Sequence, residues 1–133
     1  MRKIEHIGIA VKDLEASNAL FEKLFGAPAY KEEAVESEGV KTSFFMNGPN
    51  KIELLEATNP DSPIAKFLEK KGEGIHHIAF DVEDIDAEMK RLAAEGFTLL
   101  NEIPKKGADN KLVAFLHPKT TNGVLIELCQ EIK

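Results

Sequence analysis

The chain carries an internal repeat, and this repeat constrains its fold more than any other feature of the sequence. Residues 6–16 read HIGIAVKDLEA and residues 77–87 read HIAFDVEDIDA, so His, Ile, Val, Asp and Ala recur at matched places. Residues 52–54 and 126–128 both read IEL, which gives a second echo in the same order. The interval between the two repeated segments is slightly longer in the second half than in the first. The sequence therefore predicts two tandem copies of one module, the second with a small insertion.

Each half has the pattern of a βαβββ module. In the first half, β-branched residues alternate over residues 3–11, which predicts a strand. Asp13 is suited to cap a following helix, and Gly26 with Pro28 is suited to end it. The apolar stripe of this helix comprises Leu14, Leu20, Phe21, Leu24 and Phe25. Further strands are predicted near residues 29–36, 40–47 and 51–57.

The second half repeats this pattern after a short connecting helix. Ser62 is suited to cap the connecting helix, with Pro63 in its first turn. A strand is then predicted at residues 75–82, followed by a helix between Asp84 and Gly96. Three more strands are predicted near residues 98–102, 111–117 and 123–130. We therefore expect an α+β fold in one domain, with module one at 1–59, the linker helix at 60–74 and module two at 75–133.

Composition excludes several classes of protein. The net charge of −6 argues against a nucleic-acid-binding role, which needs clustered Lys and Arg. The single cysteine, Cys129, rules out an internal disulfide and a thiol zinc cluster. No apolar stretch approaches the roughly 20 residues that a membrane-spanning helix needs. We expect a cytoplasmic enzyme or binding protein without membrane or nucleic-acid partners.

The alternation of side chains in a strand places both repeated histidines on unusual faces. His6 shares its face of the first strand with Gly8 and Ala10, whereas the isoleucines lie on the other face. His77 likewise shares its face with Ala79 and Asp81. Because a face that only packs against a core is expected to carry larger aliphatic residues, the small neighbours indicate room for a bound group. His76 has the opposite parity and is interpreted as structural, and His117 is expected at the mouth of the site or without a role.

The repeated glutamates have the same character. Glu53 and Glu127 each lie between an isoleucine and a leucine, so each carboxylate points away from two aliphatic neighbours. A lone buried carboxylate costs several kcal/mol unless it is paired or binds a metal. Imidazole and carboxylate ligands suit zinc, cobalt, nickel, manganese or iron better than calcium. The sequence therefore predicts that His6, Glu53, His77 and Glu127 hold one divalent metal.

Three segments carry a resemblance to a known superfamily, and the similarity runs across nearly the whole chain. They read IEHIGIAVKDLEA, DSPIAKFLEKKGEGIHHIAFDVEDIDA and FLHPKTTNGVLIEL. With its paired βαβββ modules, the chain resembles the vicinal oxygen chelate superfamily of glyoxalase I, extradiol dioxygenases, bleomycin-resistance proteins and methylmalonyl-CoA epimerases. All three segments look most like the epimerases, and the last two are specific to them within the superfamily. The resemblance implies a glyoxalase-like fold, in which the two modules form a cupped eight-stranded mixed sheet, and a homodimer.

The resemblance also implies a reaction and a site. The reaction is the interconversion of the C2 epimers of methylmalonyl-CoA through an enolate, a step in propionate metabolism that uses an acyl-CoA substrate. The same four residues are implied as ligands of Co, Zn, Ni or Mn, although some epimerases have Gln in place of Glu53. Glu127 is the expected acid/base. Thr42 stands where some epimerases carry a second catalytic glutamate, so the base for the opposite face stays open between Glu53 and a water near Thr42. Candidate contacts for the CoA phosphates are Lys105, Lys106, Lys111 and Lys119, and the favoured alternative for each of them is a solvated loop lysine.

Two alternative functions use related sites. A glyoxalase I-type lactoylglutathione lyase would use the same four ligands, but it usually needs arginines for the glutathione carboxylates. This chain has only Arg2 and Arg91. A non-catalytic ligand-binding protein of the bleomycin-resistance type usually lacks the full ligand set, so the intact ligands argue against it.

Overall fold

The predicted alternation of strands and helices is present in the structure, a computed structural model that describes residues 1–133. Two 3₁₀ turns, Glu36–Glu38 and Pro118–Thr120, add to the regular elements. The helices are α1 (Leu14–Phe25), α2 (Pro63–Lys71) and α3 (Ile85–Ala94). The strands are β1 (Lys3–Ala10), β2 (Lys31–Val35), β3 (Val40–Asn47), β4 (Asn50–Ala57), β5 (Gly74–Asp81), β6 (Lys105–Lys106), β7 (Lys111–Leu116) and β8 (Ile126–Glu131). None of the helices is both long and apolar enough to span a membrane.

The long helices of the two modules begin in the same way. The Asp13 carboxylate accepts a hydrogen bond from the Ala16 N–H at 3.1 Å, and the Asp84 carboxylate accepts one from the Ala87 N–H at 3.1 Å. Both aspartates are therefore N-caps, as the sequence predicts. In each module, a side chain from the last strand also accepts a hydrogen bond from the backbone N–H of the first helical residue. Glu56 Oε1 accepts from Leu14 N at 2.7 Å, and Gln130 Oε1 accepts from Ile85 N at 2.8 Å.

Replacing Asp84 with alanine is expected to lower the free energy of unfolding by about 1 kcal/mol, because the Ala87 N–H loses its acceptor. Urea unfolding followed by circular dichroism measures this change. Asp86→Ala is the matched control, since Asp86 lies in the first turn of the same helix without capping it. Only its interaction with the helix dipole is lost there, about 0.3 kcal/mol. Equal losses in the two variants would contradict the capping role.

The chain divides into two compact units, residues 6–76 and residues 77–133 together with 1–5. In the first unit the strand order is β2-β3-β4-β1, and only the β4–β1 pair is parallel. In the second unit the order is β6-β7-β8-β5, and only the β8–β5 pair is parallel. The duplicated sequence thus gives two sets of four strands, with the same order and the same pairing, within one eight-stranded mixed sheet. Arg2 belongs to the second unit, where its guanidinium donates to the Asp81 carboxylate at 2.8 Å, which raises the pKa of Arg2.

In the first unit, the sheet is covered on both faces. Val11, Leu14, Phe45 and Leu54 form a buried cluster with Phe21 and Phe25 of α1. On the other face, Ala10, Val40, Leu55 and Ile64 pack with Phe67 and Leu68 of α2. Leu20 and Leu24 were expected in the apolar stripe of α1, but they are 62% and 68% exposed. That part of the expectation is wrong, because only the face of α1 that carries Leu14, Phe21 and Phe25 meets the sheet.

In the second unit, α3 packs on one face of the sheet. Val82, Ile85, Met89, Leu92, Ala114, Leu116 and Leu128 form this core. A smaller cluster of Ala79, Val113 and Cys129, with Phe115, lies on the opposite face. Since side chains alternate along a strand, Ala79 and Cys129 have the parity of His77 and Glu127. The site residues therefore lie on the sheet face that α3 does not cover.

The predicted strand at residues 98–102 is not a regular strand. Leu99 makes only an isolated bridge with Leu116, and Leu100 N donates to Phe115 O at 2.8 Å. The side chain of Asn101 interrupts the ladder, because its Oδ1 accepts from Phe115 N at 2.8 Å where a backbone carbonyl would be expected. The edge strand is instead the short β6, which pairs with β7.

Candidate metal centre

The first unit contains a buried histidine–glutamate pair. His6 comes from β1 and Glu53 from the parallel neighbour β4. His6 Nε2 lies 3.2 Å from Glu53 Oε1, and both residues are 5% exposed. Both side chains are therefore removed from water and share one polar contact.

The second unit contains the matching pair. His77 comes from β5 and Glu127 from the parallel neighbour β8. His77 Nε2 lies 3.0 Å from Glu127 Oε1, and the residues are 3% and 6% exposed. The Phe115 ring meets the His77 ring edge to face, with 6.2 Å between the centroids. This contact fixes one side of the imidazole.

The strand register explains why the glutamates occupy equivalent surroundings. Glu53 lies between Gly8 on the parallel neighbour and Phe44 on the antiparallel neighbour. Glu127 lies between Ala79 and Phe115 in the same two directions. In each unit, a small residue leaves space on one side of the carboxylate and an aromatic ring encloses the other. The small residues that the sequence singled out are thus the direct neighbours of the glutamates.

The geometry of both pairs fits the ligands of a metal. Two ligand atoms that each lie about 2.1 Å from one ion are about 3.0 Å apart at a right angle and about 3.4 Å apart at the tetrahedral angle. The Nε2–Oε1 distances, 3.2 Å and 3.0 Å, lie within this range. Because a buried carboxylate is stabilised by pairing or by metal coordination, the donors and their spacing suit a divalent cation.

Cys129 is a contact of the site that the sequence interpretation missed. Its thiol donates to Glu127 Oε2 at 2.9 Å, and the residue is 1% exposed. The second oxygen of Glu127, the expected acid/base, therefore already accepts a hydrogen bond. The available signal was parity, since Cys129 lies two residues after Glu127 on the same strand.

Thr42 cannot serve as a carboxylate base, and its hydroxyl already donates a hydrogen bond. The residue is 1% exposed on β3, and its Oγ1 donates to the backbone carbonyl of Glu33 at 3.3 Å. The hydroxyl is therefore used within the β2–β3 hairpin. This contact weakens the alternative in which Thr42 holds a water for proton transfer.

The other histidines and the lysines occupy separate places. His76 packs edge to face on Phe67, with 4.9 Å between the ring centroids, in keeping with a structural role. His117 Nδ1 accepts from Lys119 N at 3.0 Å, so this imidazole caps the turn that follows β7. Of the lysines expected in loops, Lys105 and Lys106 form β6 and Lys111 is buried at the start of β7. Only Lys119 is exposed in a turn.

Comparison with known proteins gives consistent similarities. Residues 5–115 match the family described as the Glyoxalase/Bleomycin resistance protein/Dioxygenase superfamily. An ethylmalonyl-CoA/methylmalonyl-CoA epimerase of Cereibacter sphaeroides is 47% identical, over 96% of this chain and 97% of the relative. Methylmalonyl-CoA epimerase from Mycobacterium tuberculosis has a crystal structure that is 34% identical, with a TM-score of 0.94 over 98% of this chain and 89% of the other. A variant of the Streptomyces coelicolor epimerase, solved with 2-nitronate-propionyl-CoA, is 36% identical with a TM-score of 0.94, over 98% and 95% of the two chains.

Proposed function

The chain belongs to the glyoxalase/bleomycin resistance protein/dioxygenase superfamily and has its α+β fold, and we propose that it is a metal-dependent methylmalonyl-CoA epimerase. The proposed reaction interconverts the two C2 epimers of the substrate through an enolate. The observation that carries the proposal is the presence of two buried His–Glu pairs in a chain similar over its full length to epimerases. The substrate is inferred from the relatives, one of which was solved with an acyl-CoA analogue.

The proposed ligands of the metal are His6, Glu53, His77 and Glu127. In support, each histidine nitrogen lies beside a glutamate oxygen at a spacing that fits neighbouring ligands of one ion. Two carboxylates neutralise a divalent charge, and the donor set suits Co, Zn, Ni or Mn. A bound ion would act as a Lewis acid toward the negative charge that develops on the thioester oxygen. An ion that takes six ligands would leave two positions for substrate oxygens beside the four protein ligands.

Glu127 is the proposed acid/base at C2. Its carboxylate is held at both oxygens, by His77 and by Cys129, so its orientation is defined before substrate binds. A carboxylate oxygen has two lone pairs, so Oε2 can still accept a proton while it accepts the thiol hydrogen bond. Epimerisation also requires proton return on the opposite face, for which Glu53 is the remaining buried carboxylate among the proposed ligands. The hydrophobic surroundings of both residues exclude bulk water.

Solvent exchange at C2 tests the proposal. In deuterium oxide, the metal-loaded protein is expected to incorporate deuterium at C2 of methylmalonyl-CoA and to convert one epimer into the other. Mass spectrometry follows the exchange, and a metal chelator should abolish both processes. If the protein does not exchange the C2 proton but turns over the methylglyoxal–glutathione adduct, the result would favour a glyoxalase I-type lyase over the epimerase.

A homodimer is the proposed assembly. The strands β2 and β6 lie at sheet edges, and edge strands present unpaired backbone groups that proteins commonly cover by association. Sedimentation equilibrium is expected to give twice the chain mass of 14.7 kDa. A mass of one chain at micromolar concentration would contradict the dimer without affecting the proposed reaction.

A further inference from the structure

Cys129 is buried beside Glu127 on the sheet face that carries the proposed site. It lies two residues after Glu127 on β8, so both side chains point to the same face. The residue is 1% exposed and packs with Ala79 and Val113. The proposed mechanism assigns no task to this thiol.

The contacts of Glu127 restrict the rotation of its carboxylate. Oε1 lies 3.0 Å from His77 Nε2, and Oε2 accepts from Cys129 Sγ at 2.9 Å. The terminal torsion of a glutamate is otherwise broad. With one partner on each oxygen, the carboxylate plane is defined and Oε1 stays on the histidine side.

We propose that Cys129 is a positioning residue that holds the Glu127 carboxylate in the orientation required for metal binding. This inference rests on the proposed function, in which Glu127 is a ligand. Hydrogen bonds from outer residues orient the ligands of metal sites, and their removal typically costs about 10–100-fold in metal affinity or activity. The Cys129 thiol meets the requirement for such a residue, because it donates to the oxygen that does not face His77.

The first module lacks this arrangement. Leu55 follows Glu53 by two residues, as Cys129 follows Glu127. Leucine has no hydrogen to donate, and Leu55 packs with Val40 and Ile64 instead. The residue at the equivalent position of the first module therefore cannot make the contact that the Cys129 thiol makes with Glu127, the proposed acid/base.

Three substitutions at position 129 separate hydrogen bonding from packing. Cys129→Ser keeps a donor of similar size, Cys129→Val keeps apolar volume without a donor, and Cys129→Ala removes both. Competition of the full-length protein with a chromophoric chelator measures the dissociation constant for Co²⁺. We expect Co²⁺ binding to weaken by about 10–100-fold in the alanine and valine variants and to stay near that of the unmodified protein in the serine variant.

Two comparisons make the result decisive. If Cys129 served only packing, valine would be tolerated best and serine least, because buried apolar volume would set the order. That order, or equal Co²⁺ affinities in all variants, would overturn the inference. Leu128→Val is the control for a general disturbance of β8, since Leu128 lies on the opposite face in the α3 core. It should leave the Co²⁺ affinity unchanged.

The hydrogen bond has a signature that needs no metal. Because the chain has one cysteine, its S–H stretching band in the infrared spectrum belongs to Cys129. The band is expected at lower wavenumber than that of a free thiol, and Glu127→Gln should move it upward. A band at the free-thiol position would overturn the inference while leaving the proposed function intact. Failure of the unmodified protein to bind Co²⁺ and to exchange the C2 proton would instead overturn both proposals.

Discussion

Replacing Glu127 with glutamine is expected to lower kcat for epimerisation by about 10²–10⁴-fold, the usual contribution of a positioned acid/base. Glutamine keeps the length of the side chain but cannot take up a proton from C2. The substitution also removes one anionic ligand, so kcat has to be measured at saturating Co²⁺ with the metal content determined in parallel. A coupled assay with each C2 epimer of methylmalonyl-CoA gives the rate in both directions.

The control for this substitution lies on the same strand. Glu131 is exposed at the end of β8, and Glu131→Gln makes the same chemical change away from the proposed site. Its kcat should equal that of the unmodified protein. An unchanged kcat in a metal-loaded Glu127→Gln variant would show that Glu127 is a ligand without a role in proton transfer.

Glu53→Gln addresses the base on the opposite face. If Glu53 only coordinates the ion, the glutamine oxygen can replace it, and kcat at saturating metal should change by less than the acid/base range of about 10²–10⁴. A loss within that range would assign the second proton transfer to Glu53. Because the Thr42 hydroxyl donates to the Glu33 carbonyl, Thr42→Val is expected to leave the exchange rate at C2 unchanged.

The duplication and the strand parity were sufficient to predict that the four proposed ligands share a buried, polar setting. His6, Glu53, His77 and Glu127 are all at most 6% exposed, and each histidine contacts the glutamate of its own module. Strand alternation has a strict period of two, so a sequence fixes the face of each side chain once the strand is known. A repeated polar residue among aliphatic ones is therefore informative even without a structure.

Features that depend on distances between elements could not be predicted in the same way. The period of a helix places Leu20 and Leu24 about one residue away from Phe21 and Phe25, about 100° around the axis. Only the position of the sheet decides that the phenylalanines are partly buried and the leucines exposed. The missing regular strand at residues 98–102 likewise depends on the Asn101 side chain, which takes the place of a backbone acceptor.

Cys129 shows how far the site could be predicted from the sequence. Its parity was readable, but the sequence does not specify the rotamer that directs the thiol to Glu127 Oε2. As a single cysteine it entered the sequence argument only through the absence of disulfides and thiol clusters. The contact of the Thr42 hydroxyl with a backbone carbonyl could not be predicted either, because it also depends on a side-chain rotamer.

Removal of the metal is expected to abolish epimerisation and to destabilise the fold. An ion that binds only the native state adds about 2.7 kcal/mol to the free energy of unfolding when its free concentration is 100 times its Kd. Without the ion, Glu53 and Glu127 stay buried. Their Oε1 atoms then lie 3.2 Å and 3.0 Å from a histidine nitrogen instead of beside a divalent charge. Urea unfolding of chelator-treated protein, with and without added Co²⁺, measures the difference, and re-addition of Co²⁺ should restore activity.

The source of this stabilisation can be assigned with the ligands themselves. The doubly substituted Glu53→Gln and Glu127→Gln protein has no anionic ligand, so added Co²⁺ should no longer raise its free energy of unfolding. It also carries no buried carboxylate at these two positions, so the cost of removing two charges from water is absent. The variant without metal is therefore expected to be at least as stable as the chelator-treated parent. Equal unfolding free energies of the parent with and without Co²⁺ would contradict a metal site built from these four residues.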